Sequence, residues 1–306
     1  MYSKNIFLHY IIMKQYNIKS KNRLINVLEG VDINDNICKG IILNIHGLGS
    51  HFQYVYNSHD ELVNRDKFFS QFDYKTFGFE FHGHGKSEGP RCTIYNFNDL
   101  LDDLYFVLKF ISSSYPYTKI FLMGESMGCA VIIKYIADKL HEIDGIILLS
   151  PMCGINKDMK PSPFMINLLL FSSNILPWLP YGTNKFNNDT LASNEEYNTA
   201  YRNCPYTFNG LFPLCTLREL YKTSLIIPEL ASKVDVPSII FQGKEDTITC
   251  PDCTIHFHEN IHINTDKEIV LIEGKGHNLL VQKTKLDNSP ESIYRQIVMW
   301  LTKHVN

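Results

Sequence analysis

The stretch "KIFLMGESMGCAVIIKYIADKL" (119–140) decides the reading of the chain, because it passes from a short apolar run to a helix-length segment across a glycine-flanked serine. "KIFLM" is too short for a helix and suits a strand buried on both faces, whereas "MGCAVIIKYIADKL" is long enough to be helical. Between them stands G-x-S-x-G, with Ser126 between Gly124 and Gly128. A turn that joins a strand directly to a helix is strained and crowded. Residues without a Cβ let the two elements approach while the serine Oγ stays exposed, which is the context a nucleophilic serine needs. The motif is short and chance matches are common, so Ser126 is a candidate only if the rest of the chain supplies partners.

Working outward, four more runs have the same character: "GIILNI" (40–45), "GIILLS" (145–150), "PSIIF" (237–241) and "EIVLI" (268–272). They are continuous rather than alternating, as in parallel strands covered on both faces. Helical patterns fall between them. In "NDLLDDLYFVLKFI" (98–111), Leu100, Leu104, Val107, Leu108 and Ile111 recur at helical spacing, with Asp102, Asp103 and Lys109 on other faces. "SPES" (289–292) predicts the start of the last helix, with Ser289 as N-cap and Pro290 at the first helical position. Strands alternating with helices predict an α/β fold with a mostly parallel, doubly wound sheet. Residues 152–234 break the rhythm, holding "PSPFMINLLLFSSNILPWLPYG" (161–182) and no obvious strand run. So long an insertion is expected to be a helical cap over one edge of the sheet rather than a structureless loop. The expected organisation is an N-terminal segment over 1–39 that could hold the first strands, a core from 40–151 and 235–306, and the cap over 152–234.

A serine hydroxyl is a poor nucleophile and needs a base, which in turn needs a carboxylate to orient it. In strand-to-helix serine sites the chain order is serine, acid, histidine. "IIFQGKEDTITCP" (239–251) places Asp246 in the loop after one strand run, with Glu245 as an immediate rival. "IVLIEGKGHNLL" (269–280) places His277 in the loop after the next. Catalytic groups of open α/β sheets gather outside the carboxyl ends of the strands, so all three positions suit one site. Taken singly, Asp246 reads equally as a helix-capping loop carboxylate and His277 as a surface histidine. An oxyanion would need backbone donors. Candidates are the N–H of Met127, just after the nucleophile, and that of Leu48 in "LNIHGLGSH" (43–51), where Gly47 and Gly49 supply a tight path. The competing reading of 46–49 is a simple turn.

Five motifs in order now carry a resemblance: "HGLGSH" (46–51), "GHGKSEG" (83–89), "GESMG" (124–128), "QGKED" (242–246) and "GKGHNLL" (274–280). From about residue 40 to the end the chain resembles the monoacylglycerol lipase and lysophospholipase branch of the α/β-hydrolase superfamily. Its bias towards Asn, Ile, Lys and Tyr is most like that of the lysophospholipase-like members of apicomplexan parasites. The resemblance implies an α/β-hydrolase fold and a serine hydrolase that cleaves carboxylic esters of single-chain lipids. It implies Ser126, Asp246 and His277 as triad, Leu48 and Met127 as oxyanion donors, and 152–234 as the cap over an acyl-chain tunnel. No metal or organic cofactor is needed for that chemistry. Two departures stand beside the nucleophile. Family members often read G-H-S-M-G-G, where this chain has Glu125 for the histidine and Cys129 for the last glycine. A side chain at 129 is expected near the elbow, where it would narrow the pocket. The segment before residue 40 matches poorly.

Composition narrows the partners. A net charge of -3 over 306 residues, with no Lys/Arg run, gives no reason to expect nucleic acid. It also leaves no dedicated phosphate clamp near the motifs, which tilts the substrate towards neutral glycerides, although a choline headgroup needs no such clamp. "KNIFLHYIIMK" (4–14) is apolar between lysines but short and without a small-residue cleavage site, so a first strand or a leader is expected rather than a signal peptide. No segment reaches the ~20 apolar residues of a membrane span. The eight cysteines are scattered, several inside apolar runs, and read as reduced core residues of a cytoplasmic protein. "CPDCTIHFH" (250–258) offers Cys250, Cys253, His256 and His258, the residue types of a zinc site. Structural zinc sites usually bring their pairs from two separate turns, so metal binding is not expected here. His82 and His84 read as parts of a structural loop. Trp178 and "FMINLLLF" (164–171) either pack the cap or face lipid, giving peripheral membrane contact. Two rivals share the fold. One is a peptidase or acylpeptidase, for which Glu125 would form an acidic pocket; the other is a lipid-binding protein without turnover.

Overall fold

Each continuous apolar run becomes a strand of one sheet. The computed structural model describes residues 14–30, 37–52, 65–139, 142–156, 160–181, 199, 203–281 and 289–305. In chain order the elements are β1 (Lys14–Ser20), β2 (Arg23–Glu29), β3 (Gly40–Ile45), α1 (Arg65–Ser70), β4 (Tyr74–Phe79), α2 (Asn98–Ser114), β5 (Ile120–Glu125), α3 (Met127–Ala137) and β6 (Gly145–Leu149). There follow α4 (Pro163–Ile175), β7 (Pro180–Tyr181), β8 (Phe212–Pro213), α5 (Leu214–Ile226) and a 3-10 helix (Ile227–Lys233). The chain ends with β9 (Ser238–Gly243), α6 (Pro251–Asn260), β10 (Lys267–Ile272) and α7 (Ser289–His304). The apolar stretch of residues 4–13 lies outside the described residues. Ser289 is the first residue of α7, and the residues just before it lie outside the described ones too.

Among the described residues the main sheet has the order β1-β2-β4-β3-β5-β6-β9-β10. β1, β2 and β4 pair antiparallel at one edge, and from β4 across to β10 every pair is parallel. Alternate residues of the central strands serve two separate cores. Ile41, Leu43 and Ile45 of β3, Ile120 and Leu122 of β5, and Ile146 and Leu148 of β6 pack with α2, α3 and the 3-10 helix. Ile42, Phe121, Met123, Ile147 and Leu149 point the other way, onto Phe68 and Phe69 of α1 and Tyr294, Ile297 and Leu301 of α7. With apolar helices on both faces, neither side of a central strand meets water, so those runs show no alternation. The fold is a doubly wound, mostly parallel α/β sheet, as the alternation of strands and helices predicted.

β4 was not among the expected strands. Its sequence "YKTFGF" carries Lys75, which is buried at 1% exposure and breaks the apolar run. Lys75 Nζ lies 3.1 Å from Glu29 Oε1 and donates to Tyr115 Oη at 3.1 Å, while Tyr16 and Tyr115 donate to Glu29 at 2.6 and 2.8 Å. The charge is thus paired and hydrogen-bonded inside the sheet edge, as burial requires.

Between β6 and β9 the described residues form α4, β7, β8, α5 and the 3-10 helix and add no strand to the main sheet. α4 opens on Ser162, whose hydroxyl accepts the Met165 N–H at 3.3 Å, with Pro163 in the first turn. β7 pairs with β8, and the Leu214 and Cys215 N–H groups bond the Leu179 and Pro177 carbonyls at 2.9 Å each, holding α5 against the end of α4. Residues 203–213 dock on the core: the Phe208 N–H bonds the Gly49 carbonyl at 2.9 Å and Arg91 Nη2 bonds the Tyr206 carbonyl at 2.6 Å. No helix among the described residues is long and apolar enough to cross a membrane.

Candidate active site

The parallel register aligns the carboxyl ends of the strands. Ile45 of β3 pairs with Gly124 of β5, Glu125 with Leu149 of β6, Leu149 with Phe241 of β9, and Gly243 with Ile272 of β10. The loops leaving β3, β5, β9 and β10 therefore emerge along one edge of the sheet, where α/β proteins place ligands.

Ser126 lies between β5 and α3 with φ 53° and ψ -114°, a backbone state that a side chain enters only when its surroundings enforce it. Those surroundings are visible. Its N–H bonds the Leu149 carbonyl at 3.1 Å and its carbonyl accepts the Met152 N–H at 3.3 Å, so the turn is tied to the strand beside it. A Cβ on Gly128 would sit 2.4 Å from the Ile45 carbonyl oxygen and 2.8 Å from that of His46, and one on Gly124 2.9 Å from the Cys129 nitrogen. Strand, turn and helix meet with no room for a methyl group. Cys129 corrects an expectation: it does not narrow the pocket. Its side chain is buried in the core under α3, where Sγ donates to the Leu149 carbonyl at 3.4 Å. The helical phase set at Ser126 turns position 129 inward.

Asp246 and His277 are brought together directly, with His277 Nδ1 and Asp246 Oδ2 2.9 Å apart. The carboxylate is fully engaged. Oδ1 accepts the N–H groups of Ile248 and Thr249 at 2.8 and 3.0 Å, and Oδ2 accepts Thr249 Oγ1 at 2.6 Å and Gln242 Nε2 at 3.1 Å. Burial by itself would raise the Asp246 pKa; His277 and these donors outweigh it and hold the carboxyl below its usual range. An ionised Asp246 accepts the Nδ1 proton, which leaves Nε2 as the basic nitrogen. Glu245, the rival acid, instead accepts the Gly274 N–H at 2.9 Å. The His277 carbonyl accepts Ser150 Oγ at 2.7 Å. Ser150 follows the residue whose carbonyl bonds the Ser126 N–H, so one strand end fastens both loops. Among the described residues Ser126 and His277 form no hydrogen bond to each other.

The loop after β3 runs beside the serine. A Cβ on Gly47 would lie 3.4 Å from Ser126 Cβ and 4.0 Å from Ser126 Oγ. His46 fixes the loop. Its Nε2 accepts the Phe81 N–H at 3.1 Å, so the proton sits on Nδ1 and donates to the Gly47 carbonyl at 2.7 Å. Burial pushes the His46 pKa well down, so the ring is neutral and its role is structural. Gly49 takes φ +72°, the conformation that favours glycine, and its carbonyl accepts the Phe208 N–H. Leu48 is half-buried between these two anchors. Met127 is the first residue of α3, where helix N–H groups lack an intrahelical acceptor.

Several residues found here carry no motif. Arg65 is buried and donates to Asn44 Oδ1 at 3.0 Å and to Glu125 Oε1 at 2.6 Å, so the carboxylate beside the nucleophile is already paired. Arg65 precedes Glu125 by sixty residues, and nothing local announces the pair. Gln242 and Thr249 flank Asp246 closely enough to have been suspected. The cysteine pair in "CPDCTIHFH" is joined instead: Cys250 and Cys253 form a disulfide, and no cluster of His, Cys, Asp or Glu among the described residues could hold a metal ion. This also corrects the expectation of reduced cysteines for that pair. A helix start brings positions three apart to a Cα separation of 5.1 Å, within disulfide reach. His82 Nδ1 lies 2.7 Å from Asp103 Oδ2 and stays in its loop. Trp178 is 61% exposed, with Phe164 and Phe171 at 74% and 67%, so these side chains do not pack the segment against the sheet.

The family model described as serine aminopeptidase, S33 (Hydrolase_4) matches residues 37–284. Among curated relatives the chain is 26% identical to caffeoylshikimate esterase of Arabidopsis thaliana over 277 residues, covering 89% of this chain and 80% of that one. It is 24% identical to monoglyceride lipase of Homo sapiens over 265 residues, covering 87% and 83%. Among solved structures it is similar to a soluble variant of monoglyceride lipase from Saccharomyces cerevisiae in complex with a substrate analog. The TM-score is 0.81 at 19% identity, covering 100% of this chain and 99% of that one. Monoacylglycerol lipase of Paleococcus ferrophilus gives 0.77 at 21% identity, covering 95% and 100%.

Proposed function

Because the chain belongs to the Hydrolase_4 (serine aminopeptidase, S33) family of α/β-hydrolases, we propose that it hydrolyses carboxylic esters of single-chain lipids through an acyl-enzyme on Ser126. The observation that carries this reading is the Asp246–His277 hydrogen bond of 2.9 Å at the same sheet edge as the strained Ser126 turn. Ser126 Oγ attacks the ester carbonyl carbon while His277 Nε2 takes its proton. Asp246 holds the Nδ1–H tautomer and stabilises the imidazolium that forms. The N–H groups of Leu48 and Met127 receive the oxyanion, where each donor is worth about 3–4 kcal/mol. His277 then protonates the departing alcohol, and a water activated by the same histidine releases the acid.

A monoacylglycerol or a lysophospholipid fits the apolar, uncharged stretch 161–182, which we assign with the rest of 152–234 to a cap over the site. The names of the esterase and lipase relatives support an ester, and those called monoglyceride lipase support a lipid. We assign the protein to the cytoplasm, with the exposed side chains of the cap touching a membrane from one side. Ser126→Ala is expected to abolish both ester turnover and fluorophosphonate labelling, and retention of either would remove the assignment. Comparing monoacylglycerol, lysophosphatidylcholine and short p-nitrophenyl esters then ranks the substrates.

The family's description favours a second reading, cleavage of aminoacyl amides by the same triad. The Glu125–Arg65 pair weighs against it, because a carboxylate already matched to a buried guanidinium is a poor receptor for a free α-amine. Aminoacyl p-nitroanilide turnover rivalling that of esters would promote the amide reading.

A further inference from the structure

Ester hydrolysis makes no use of Cys250 and Cys253, yet both lie against the loop that carries Asp246. They occupy the N-cap and the first turn of α6, joined as a disulfide, and the Cys253 N–H donates to Cys250 Sγ at 3.1 Å. Cys250 is buried and Cys253 partly exposed. The residues on either side of this small ring hold the acid. Thr249, just before it, gives Asp246 both its N–H and its hydroxyl, at 3.0 and 2.6 Å. Thr254, just after it, donates to Gln242 Oε1 at 2.9 Å, and Gln242 Nε2 donates to Asp246 Oδ2 at 3.1 Å. Across the ring runs the backbone of 153–156: Ile155 bridges to Thr249, and a Cβ on Gly154 would lie 2.6 Å from Cys253 Sγ.

We propose that Cys250 and Cys253 form a reversible dithiol–disulfide site that exchanges with small-molecule disulfides, and that its redox state sets how firmly Asp246 is held for His277. In the oxidising direction the Cys253 thiolate attacks one sulfur of a small disulfide, forming a mixed disulfide and releasing one small thiolate. The Cys250 thiolate then attacks Cys253 Sγ and expels the second. The protein dithiol gives up two electrons and two protons, and the small disulfide becomes two thiols. Excess thiol reverses both steps. The positive end of α6 favours negative charge on sulfurs in its first turn, which suits thiolate chemistry at this position. Opening the ring frees the backbone between Thr249 and Thr254, loosening both routes to Asp246. Because Asp246 acts on His277 rather than on substrate, the effect falls on kcat. Cys92 is no competitor, since burial pushes its thiol up to about 12.

The consequence for turnover rests on the triad proposed above, whereas the pairing chemistry does not. The test equilibrates the full chain in a graded series of glutathione buffers, spanning the window from fully reduced to fully oxidised glutathione. Each sample is quenched, differentially alkylated and mapped by peptide mass spectrometry, with ester kinetics run in parallel. Residues 250 and 253 are expected to pair in one two-electron transition inside that window. On reduction kcat is expected to fall roughly threefold to tenfold with KM within about twofold, the size of coupling that positioning networks carry. Cys250→Ser and Cys253→Ser are each expected to lose the response to reductant. Thiols that stay free at the oxidising end, or paired at the reducing end, overturn the proposal. So does pairing that leaves kcat unchanged, or a reductant response that survives in Cys253→Ser. Normal pairing in a chain that neither labels with fluorophosphonate nor turns over ester would count against the triad instead.

Discussion

Gly128 shows how little tolerance the elbow has at the level of a single residue. A methyl group there would meet the Ile45 and His46 carbonyl oxygens at 2.4 and 2.8 Å, which are backbone atoms and cannot swing aside. Gly128→Ala is therefore expected to push α3 away from the loop that holds Leu48. Misplacement of about 1 Å near a reacting centre costs on the order of a hundredfold in rate, so kcat should fall by that order while the chain stays folded. Ester kinetics together with circular dichroism check this, and wild-type kcat would show that the proposed oxyanion loop does not depend on this contact. Ser126, Asp246 and His277 could be picked out because a small number of chemical roles demands those residue types at strand ends, and the structure brings Asp246 and His277 within 2.9 Å beside the Ser126 turn. Side-chain direction and distant pairing were not legible. Cys129 turns into the core because of where α3 begins, and Glu125 is matched by Arg65 from another layer of the fold.

At the scale of elements, legibility followed the apolar run rather than burial alone. β3, β5, β6 and β9 are continuous apolar runs buried almost throughout, whereas β2 and β4 are largely buried too but are interrupted by Asn26, Glu29 and Lys75 and did not announce themselves. Burial pushes the Glu29 carboxyl up, but Tyr16, Tyr115 and Lys75 overcome this and leave it below its usual range. Removing one partner of a buried ion pair costs about 3–5 kcal/mol, so Lys75→Met should destabilise by about 3 kcal/mol in urea titration. A loss below about 1 kcal/mol would mean that the two tyrosine hydroxyls suffice to satisfy Glu29. α4 presents the opposite case, an element with one apolar face that finds no core. Phe164, Leu168, Phe171 and Ile175 recur at helical spacing on one exposed face, and Trp178 follows. Inserting an aromatic side chain into lipid gains roughly 2 kcal/mol, so Phe171→Ser and Trp178→Ser should each weaken binding to phosphatidylcholine vesicles by more than about tenfold. Turnover of a short soluble ester serves as the reference, and unchanged sedimentation with vesicles would show that this face does not meet lipid.

For the whole molecule, the loops around the site make stability depend on pH through histidines that the reaction does not use. His46, His51 and His84 are all buried, with the His46 and His84 rings 5.1 Å apart. Burial pushes His51 down to about 3, aided by the nearby charges of Arg91 and Lys86, and pushes His84 down to about 4. His51 Nδ1 lies 3.8 Å from Glu80 Oε1, but with the ring held neutral this is no ion pair. A histidine whose folded pKa lies below its unfolded value near 6.5 takes up a proton on unfolding. Its contribution is complete above about pH 6.5 and is lost as pH falls from there towards the folded value, at about 1.4 kcal/mol per pH unit for each histidine. Glu80 acts in the opposite sense, since burial raises its carboxyl. Three histidines held down by burial against one raised carboxyl leave the histidines to set the slope between pH 7 and 5.5. The urea midpoint should drop steeply over that interval without a change in m-value, and His84→Asn should flatten the drop by about one proton's worth. A midpoint that stays level from pH 7 to 5.5 would mean that these rings accept protons inside the fold.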